Sequence, residues 1–266
     1  MRRLPQLVAL ALVVQAGCAK LHRDAVPLFA GAECAKQDVD VLVSRAAEIG
    51  PQTETDALQC ILSALRSTKQ PSVQSGLLGS RVCLLLATRD RDQLKREQLA
   101  AEGVRFAESA LALGGDGNGE VHYYLAANLG FVVRDEITLA MQNLPRLQHE
   151  MQRALSLSPN VDDGGPLRLL GMLYLKAPPW PAGIGDGDKA MEFLRQAVDK
   201  HPRHPLNHLF LGQAIHEVDG DEAGERAKNQ WATGLKLLQQ GNWGYNREPW
   251  MREFDEVRRE FDEPGA

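Results

Sequence analysis

Apolar and small residues recur along the second half of this chain in one pattern. A small or apolar residue is followed by others four and seven positions later, and a helix-ending glycine or proline closes the set near the twelfth. The pattern reads Gly103-Ala107-Ala110-Gly115, Leu147-Met151-Ala154-Pro159 and Ala190-Leu194-Ala197-Pro202, with a weaker copy at Ala227-Trp231-Gly234 that stops at Gly241. Successive copies begin 44, 43 and 37 positions apart. Offsets of four and seven put side chains on one stripe of a helix, and small residues in that stripe let a neighbouring helix approach closely. Self-similarity at this pitch predicts stacked helical hairpins, none of which can bury its apolar face alone.

The helix leading into each stripe carries its own signature. His122-x2-Leu125-Ala126-x2-Leu129, Leu167-x2-Leu170-Gly171-x2-Tyr174 and His208-x2-Leu211-Gly212-x2-Ile215 share one spacing, and all four positions of each fall on one face. The first hairpin's leading helix has no unambiguous register; Gly79-Ser80-x2-Cys83 is one option. Caps and breakers predict helices over 33–49, 56–67, 73–88, 93–113, 120–134, 139–157, 167–175, 188–200, 206–218 and 222–240. A last segment, 249–261, has Trp250, Phe254, Val257 and Phe261 at helical spacing and should cap the stack. No run alternates with period two for long enough to be a strand. The expected fold is all-α: a helical-hairpin solenoid of about four long repeats with a C-terminal capping helix.

The N-terminus adds an address. Met1-Arg2-Arg3 precedes an apolar run from Leu7 to Val14 and then Gln15-Ala16-Gly17-Cys18. A basic start, a short apolar core and small residues before a cut fit a secretory signal over 1–17, and the run is too short for a stable bilayer span. The Ala-Gly-Cys ending resembles a bacterial lipobox, which implies lipidation of Cys18, a tether over 18–32 and a single domain over 33–261. In a Gram-negative cell that points to the periplasmic face of the outer membrane; plain secretion or an uncleaved anchor are the alternatives. The formal net charge of −5 argues against a nucleic-acid partner, which favours a basic footprint. An oxidising compartment permits a disulfide. Cys60 and Cys83 sit at comparable distances from the turn near Pro71 and could meet across it; the other reading is buried thiols acting as small hydrophobes.

The repeat residues resemble the tetratricopeptide repeat. The third copy matches that family best, through Leu170, Gly171, Tyr174, Ala190, Leu194, Ala197 and Pro202. The first two intervals exceed the usual repeat of about 34 residues by about ten. More narrowly, HYYLAANLGFVVRD (122–135), GPLRLLGMLYLKAPPWPAGIGDGDKAMEFLRQAV (165–198) and HPLNHLFLGQAI (204–215) look like the T-component family of TRAP transporters. That resemblance implies an often lipidated periplasmic protein with a central pore or cleft and a solute-binding protein as partner, and it leaves homo-oligomerisation open.

Two groups of residues stand out as candidate contacts. The loop 176–186 holds Pro178, Pro179, Trp180, Pro181 and Ile184. Its prolines stiffen it and its glycines allow tight turns. Trp180 and Ile184 either plug the gap between long helices or meet a ligand or partner, aromatics being common binding hot spots. Tyr123, Tyr124 and Asn128 on one leading helix, with Asn207 and His208 on another, either dress a ligand cleft or serve as hydrogen-bonded core groups. His201, His204 and His208 lack an acidic or thiol ligand to complete a metal site. Asp116, Asn118 and Glu120 begin like a calcium loop without its distal glutamate. No nucleophile, zincin or phosphate-loop motif is present. The expectation is a binding protein that uses no cofactor and performs no covalent chemistry.

Overall fold

The computed structural model describes residues 37–220 and 223–262. They fall within one compact unit, 33–266. Its helices are α1 (Val39–Ser44), α2 (Thr55–Ser67), α3 (Val73–Arg89), α4 (Gln93–Ala112), α5 (Gly119–Val133), α6 (Ile137–Leu157), α7 (Gly165–Lys176), α8 (Gly187–Lys200), α9 (Pro205–Asp219), α10 (Gly224–Gln240) and α11 (Arg247–Asp262). No strand forms among the described residues. The boundaries follow local chemistry. Ser72 and Ser75 make a reciprocal capping box at the start of α3. Asp92, Asn118 and Asp186 cap α4, α5 and α8 through their side chains. Pro166 and Pro205 stand in the first turns of α7 and α9, where the missing N–H has no partner to lose.

The expected helix over 33–49 is shorter within the described residues. α1 starts behind the Asp38 cap and breaks at Arg45 into a 3-10 turn, Ala46–Glu48. Three of its six residues are β-branched valines, which weaken a helix with so few turns.

Helices pair in sequence order, α3 with α4, α5 with α6, α7 with α8 and α9 with α10, and each pair packs on the next. The small-residue stripes lie at these contacts. Ala107, Ala110, Ala154, Ala190 and Ala197 have no exposed surface. A Cβ on Gly171 would come within 2.5 Å of Leu194, and one on Gly79 within 2.5 Å of the Phe106 ring. In α3 the offered spacing Gly79-Ser80-x2-Cys83 is buried, with Ser80 and Cys83 fully covered, and so is the set Ser75, Leu78, Gly79 and Val82, so both registers face the core. Overpacking such a contact costs roughly 1–3 kcal/mol.

α11 caps the stack as the spacing predicts. Trp250, Phe254 and Val257 are buried in a cluster with Leu206, Leu209 and Leu238. The segment before it also reaches the opposite end of the chain. Tyr245 N donates to Pro51 O at 2.8 Å and Gln52 Nε2 donates to Asn242 O at 3.0 Å. Gly244 takes φ 54°, and a Cβ there would lie 2.3 Å from Pro51 O, so both its conformation and its space require glycine.

The Cys60–Cys83 pair does not form. Cys83 is a free, buried thiol; Cys60 is disulfide-bonded, but to another partner. Burial raises the Cys83 thiol well above its ordinary pKa and leaves it a small hydrophobe. Cys18, the signal region and the tether lie outside the described residues.

Candidate functional site

The α7–α8 loop is braced from within. Gly185 N donates to Pro178 O at 2.8 Å, Ala182 N to Pro179 O at 3.0 Å, and Asp186 N to Tyr174 O at 3.0 Å. Pro179 and Gly185 form an isolated parallel bridge. A Cβ on Gly183 would strike Pro178 O at 2.5 Å, so the turn is closed around its glycines. Asp186 accepts from Lys189 N at 3.0 Å, and that bond, with the nearby Lys189 ammonium, holds its carboxyl below the usual range.

The two hydrophobic residues of this loop part company. Ile184 is half-buried against the α4–α8 core cluster and does the plugging. Trp180 is 85% exposed, with Pro179 and Pro181 exposed on either side and Pro178 half-buried. The indole is therefore presented to solvent by a short, internally bonded loop.

The inner-helix residues behave differently. Tyr123 is buried and its hydroxyl donates to Asp162 Oδ2 at 2.6 Å. Burial first, then the Asp162 charge, pushes that phenol well above its usual pKa. Tyr124 packs edge-on against it, with ring centroids 5.1 Å apart, and is raised mainly by burial. Asn128 is fully buried over Gly103 and donates to Ser80 O, Ser80 Oγ and Tyr124 O. Asn207 is fully buried, donates to His201 O at 2.9 Å and accepts from Arg168 Nη1 at 2.7 Å. His208 bridges Pro202 O and Gln230 Oε1, both at 2.8 Å. Of the two readings left open for these residues, this arrangement is that of hydrogen-bonded core groups. Tyr123, Asn207 and His208 direct their polar atoms to their own chain inside the core, because a buried polar group left unpaired is costly. Asn128 does so through its amide nitrogen only, and its Oδ1 is buried against Gly103 without a hydrogen-bond partner.

The hub of this network is a residue the sequence reading passed over. Arg168 is 3% exposed on α7 and donates to Asn207, to Asp162 O at 3.2 Å and to the Asp162 carboxylate. Asp162 and Asp163 stand at φ 50° and 47°, followed by Gly164 at 84°, so the guanidinium ties down a left-handed turn. His204 lies 3.4 Å from Arg168 and against the Trp243 and Trp250 rings. Burial, then the Arg168 charge, holds its pKa well below the ordinary value. A charged residue inside the apolar run Leu167–Leu170 was the available signal. His122, which opens the leading-helix signature, is also committed: its ring sits 2.9 Å from Asp116 O and 2.5 Å from Glu150 Oε2.

Among the described residues no group of three or more His, Cys, Asp or Glu side chains is placed to hold a metal. No described helix is long and apolar enough to cross a membrane. Neither the models of known protein families nor the curated proteins provide a match to this chain.

Proposed function

We propose that this chain is a helical-repeat binding protein that docks on another protein through the Trp180 loop and performs no covalent chemistry. The observation that carries the reading is Trp180 itself, 85% exposed on a loop held by its own hydrogen bonds. A large rigid aromatic pays little entropy on binding and is the residue type most often found at interface hot spots. The resemblance to the TRAP transporter T-component supplies the partner to test first, a periplasmic solute-binding protein, with other envelope proteins as the alternative. Lipidation at Cys18 and residence at the periplasmic face of the outer membrane belong to the same proposal and rest on the N-terminal sequence. A ligand held in a central pore has less support, since the polar groups of Tyr123, Asn207 and His208 are bonded within the fold and Asn128 Oδ1, though unpartnered, is packed against Gly103.

The test is a photo-crosslinking amino acid at position 180, in cells that also produce the solute-binding protein. A crosslink to that protein, lost on competition with the unlabelled wild-type chain, supports the reading. Crosslinks to lipid or to no protein at all overturn it. Cys18→Ser should move the protein from the membrane to the soluble fraction if the anchor is a lipid.

A further inference from the structure

A cleft of about 550 Å3 opens between α2, the end of α3 and α4. Leu62, Leu86 and Leu99 give it an apolar floor, and Thr55 and Gln59 add polar groups. Three arginines line it, Arg66, Arg89 and Arg91, against one acid, Asp90, in a chain whose net charge is −5. Volumes of this order are typical of small-molecule sites.

The three arginines differ in what already holds them. Arg89 donates to Thr53 O at 2.7 Å and Pro51 O at 3.1 Å and lies 4.8 Å from the centre of the Tyr245 ring. Its Nε is buried without a hydrogen-bond partner. Carbonyl dipoles and a ring face surround it, with no carboxylate among its hydrogen-bond partners, and burial brings its pKa down to about 10. Arg66 and Arg91 are instead exposed, 52% and 74%, and paired with Glu102 and Glu248. Arg66 is held by Glu102, 16% exposed, through two parallel hydrogen bonds and stays engaged. Arg91–Glu248 is exposed on both sides, and such a pair holds weakly and exchanges readily. A planar guanidinium freed from such a pair matches a carboxylate or phosphate head through two parallel hydrogen bonds.

We infer that this cleft binds an organic anion, a carboxylate or phosphate head carried on a short apolar body. The head displaces Glu248 from Arg91 while Arg66 stays forked to Glu102, Arg89 contributes a charge that has no carboxylate among its hydrogen-bond partners, and the body lies on the leucines. The site is built from α2, α3 and α4, so it stands or falls independently of the Trp180 loop.

The test is calorimetric titration of the purified protein with octanoate, inorganic phosphate and 1-octanol. Octanoate should bind at least about tenfold more tightly than 1-octanol, the worth of one charge-assisted hydrogen bond. Arg91→Gln should weaken octanoate about tenfold by the same reasoning. Glu248→Gln should tighten it, because Arg91 loses its competitor; a gain cannot come from misfolding. Equal binding of octanoate and 1-octanol, no heat with either anion at millimolar concentration, or a Glu248→Gln variant no tighter than wild type would overturn the assignment. Phosphate binding as tightly as octanoate would overturn the role of the apolar floor.

Discussion

Arg168→Met is the sharpest probe of the buried network. Methionine keeps an unbranched apolar stem and removes the guanidinium. The Asn207 Oδ1 atom then loses the donor at 2.7 Å, and that residue has no exposed surface through which water can replace it. Asp162 loses its charge partner, and the carbonyl of Asp162 loses a donor at 3.2 Å in a turn already at φ 50° and 47°. Removing one partner of a buried ion pair costs roughly 3–5 kcal/mol, and an orphaned buried acceptor alone costs roughly 1–3 kcal/mol. The Asp162 side chain is 41% exposed, so water takes over part of its solvation and the lower end applies. The expected loss is about 3 kcal/mol. With a urea m-value of about 3 kcal/mol/M for a domain of this size, the midpoint falls by about 1 M. Far-ultraviolet circular dichroism and tryptophan fluorescence should report the same shift, because Trp243 and Trp250 pack on His204 beside Arg168. In a double-mutant cycle with Asp162→Asn, a coupling of about 1–3 kcal/mol is expected. A loss below about 1 kcal/mol, or full additivity in the cycle, would refute the hub argument.

Trp180→Ala should leave the unfolding midpoint unchanged within about 0.5 kcal/mol, since the ring contributes little burial, while partner crosslinking through this loop falls away. His204 gives a pH signature. Its folded pKa lies well below 6.5, so as pH falls through 6.5 the unfolded chain takes up a proton that the folded chain refuses. The contribution is complete above that pH and is lost progressively toward the folded pKa, so urea midpoints should decline from pH 7 to pH 5, with a shallower slope in His204→Gln. Gly244→Ala should cost about 2 kcal/mol or more, from a left-handed conformation combined with the clash on Pro51 O, and differential hydrogen exchange should show the 50–53 turn opening first.

The hairpin stack was legible because helix periodicity and small residues leave a regular trace in sequence. The four stripes, the capping helix and most helix ends follow from local rules. Contacts between distant segments carry no such trace. The bond from Tyr245 to Pro51 joins residues almost two hundred positions apart, and the need for glycine at 244 emerges only from that contact. Cys60 shows the same limit: distance from a turn suggested Cys83, whereas the fold buries that thiol unpaired. At the loop, composition marked Trp180 and Ile184 together. Separating an anchor from a contact residue required knowing which way each side chain faced.

Polar residues on the leading helices are occupied for a reason that the repeat itself explains. His122 and His208 occupy the same position of two different repeats. Each ring reaches a carbonyl six residues earlier, Asp116 O or Pro202 O, and a side chain on the paired helix, Glu150 or Gln230. The third repeat has Leu167 at that position, and there Arg168, one residue on, makes the polar tie instead. These groups fasten each hairpin to the turn before it, so their chemistry is already committed. Leucine is evidently acceptable at the position once no unpaired polar partner faces it. Glu150→Leu alone should therefore cost roughly 1–3 kcal/mol, because it strips a ring that is 1% exposed of its closest partner. His122→Leu combined with Glu150→Leu should recover most of that, since a buried hydrogen-bonded pair replaced on both sides by apolar groups of similar shape is often nearly neutral. Urea titration of the two single variants and the double variant measures this directly. A double variant as unstable as the sum of the singles would mean that the histidine does more than fasten the hairpin, and would refute the account of this position as a tie to the preceding turn.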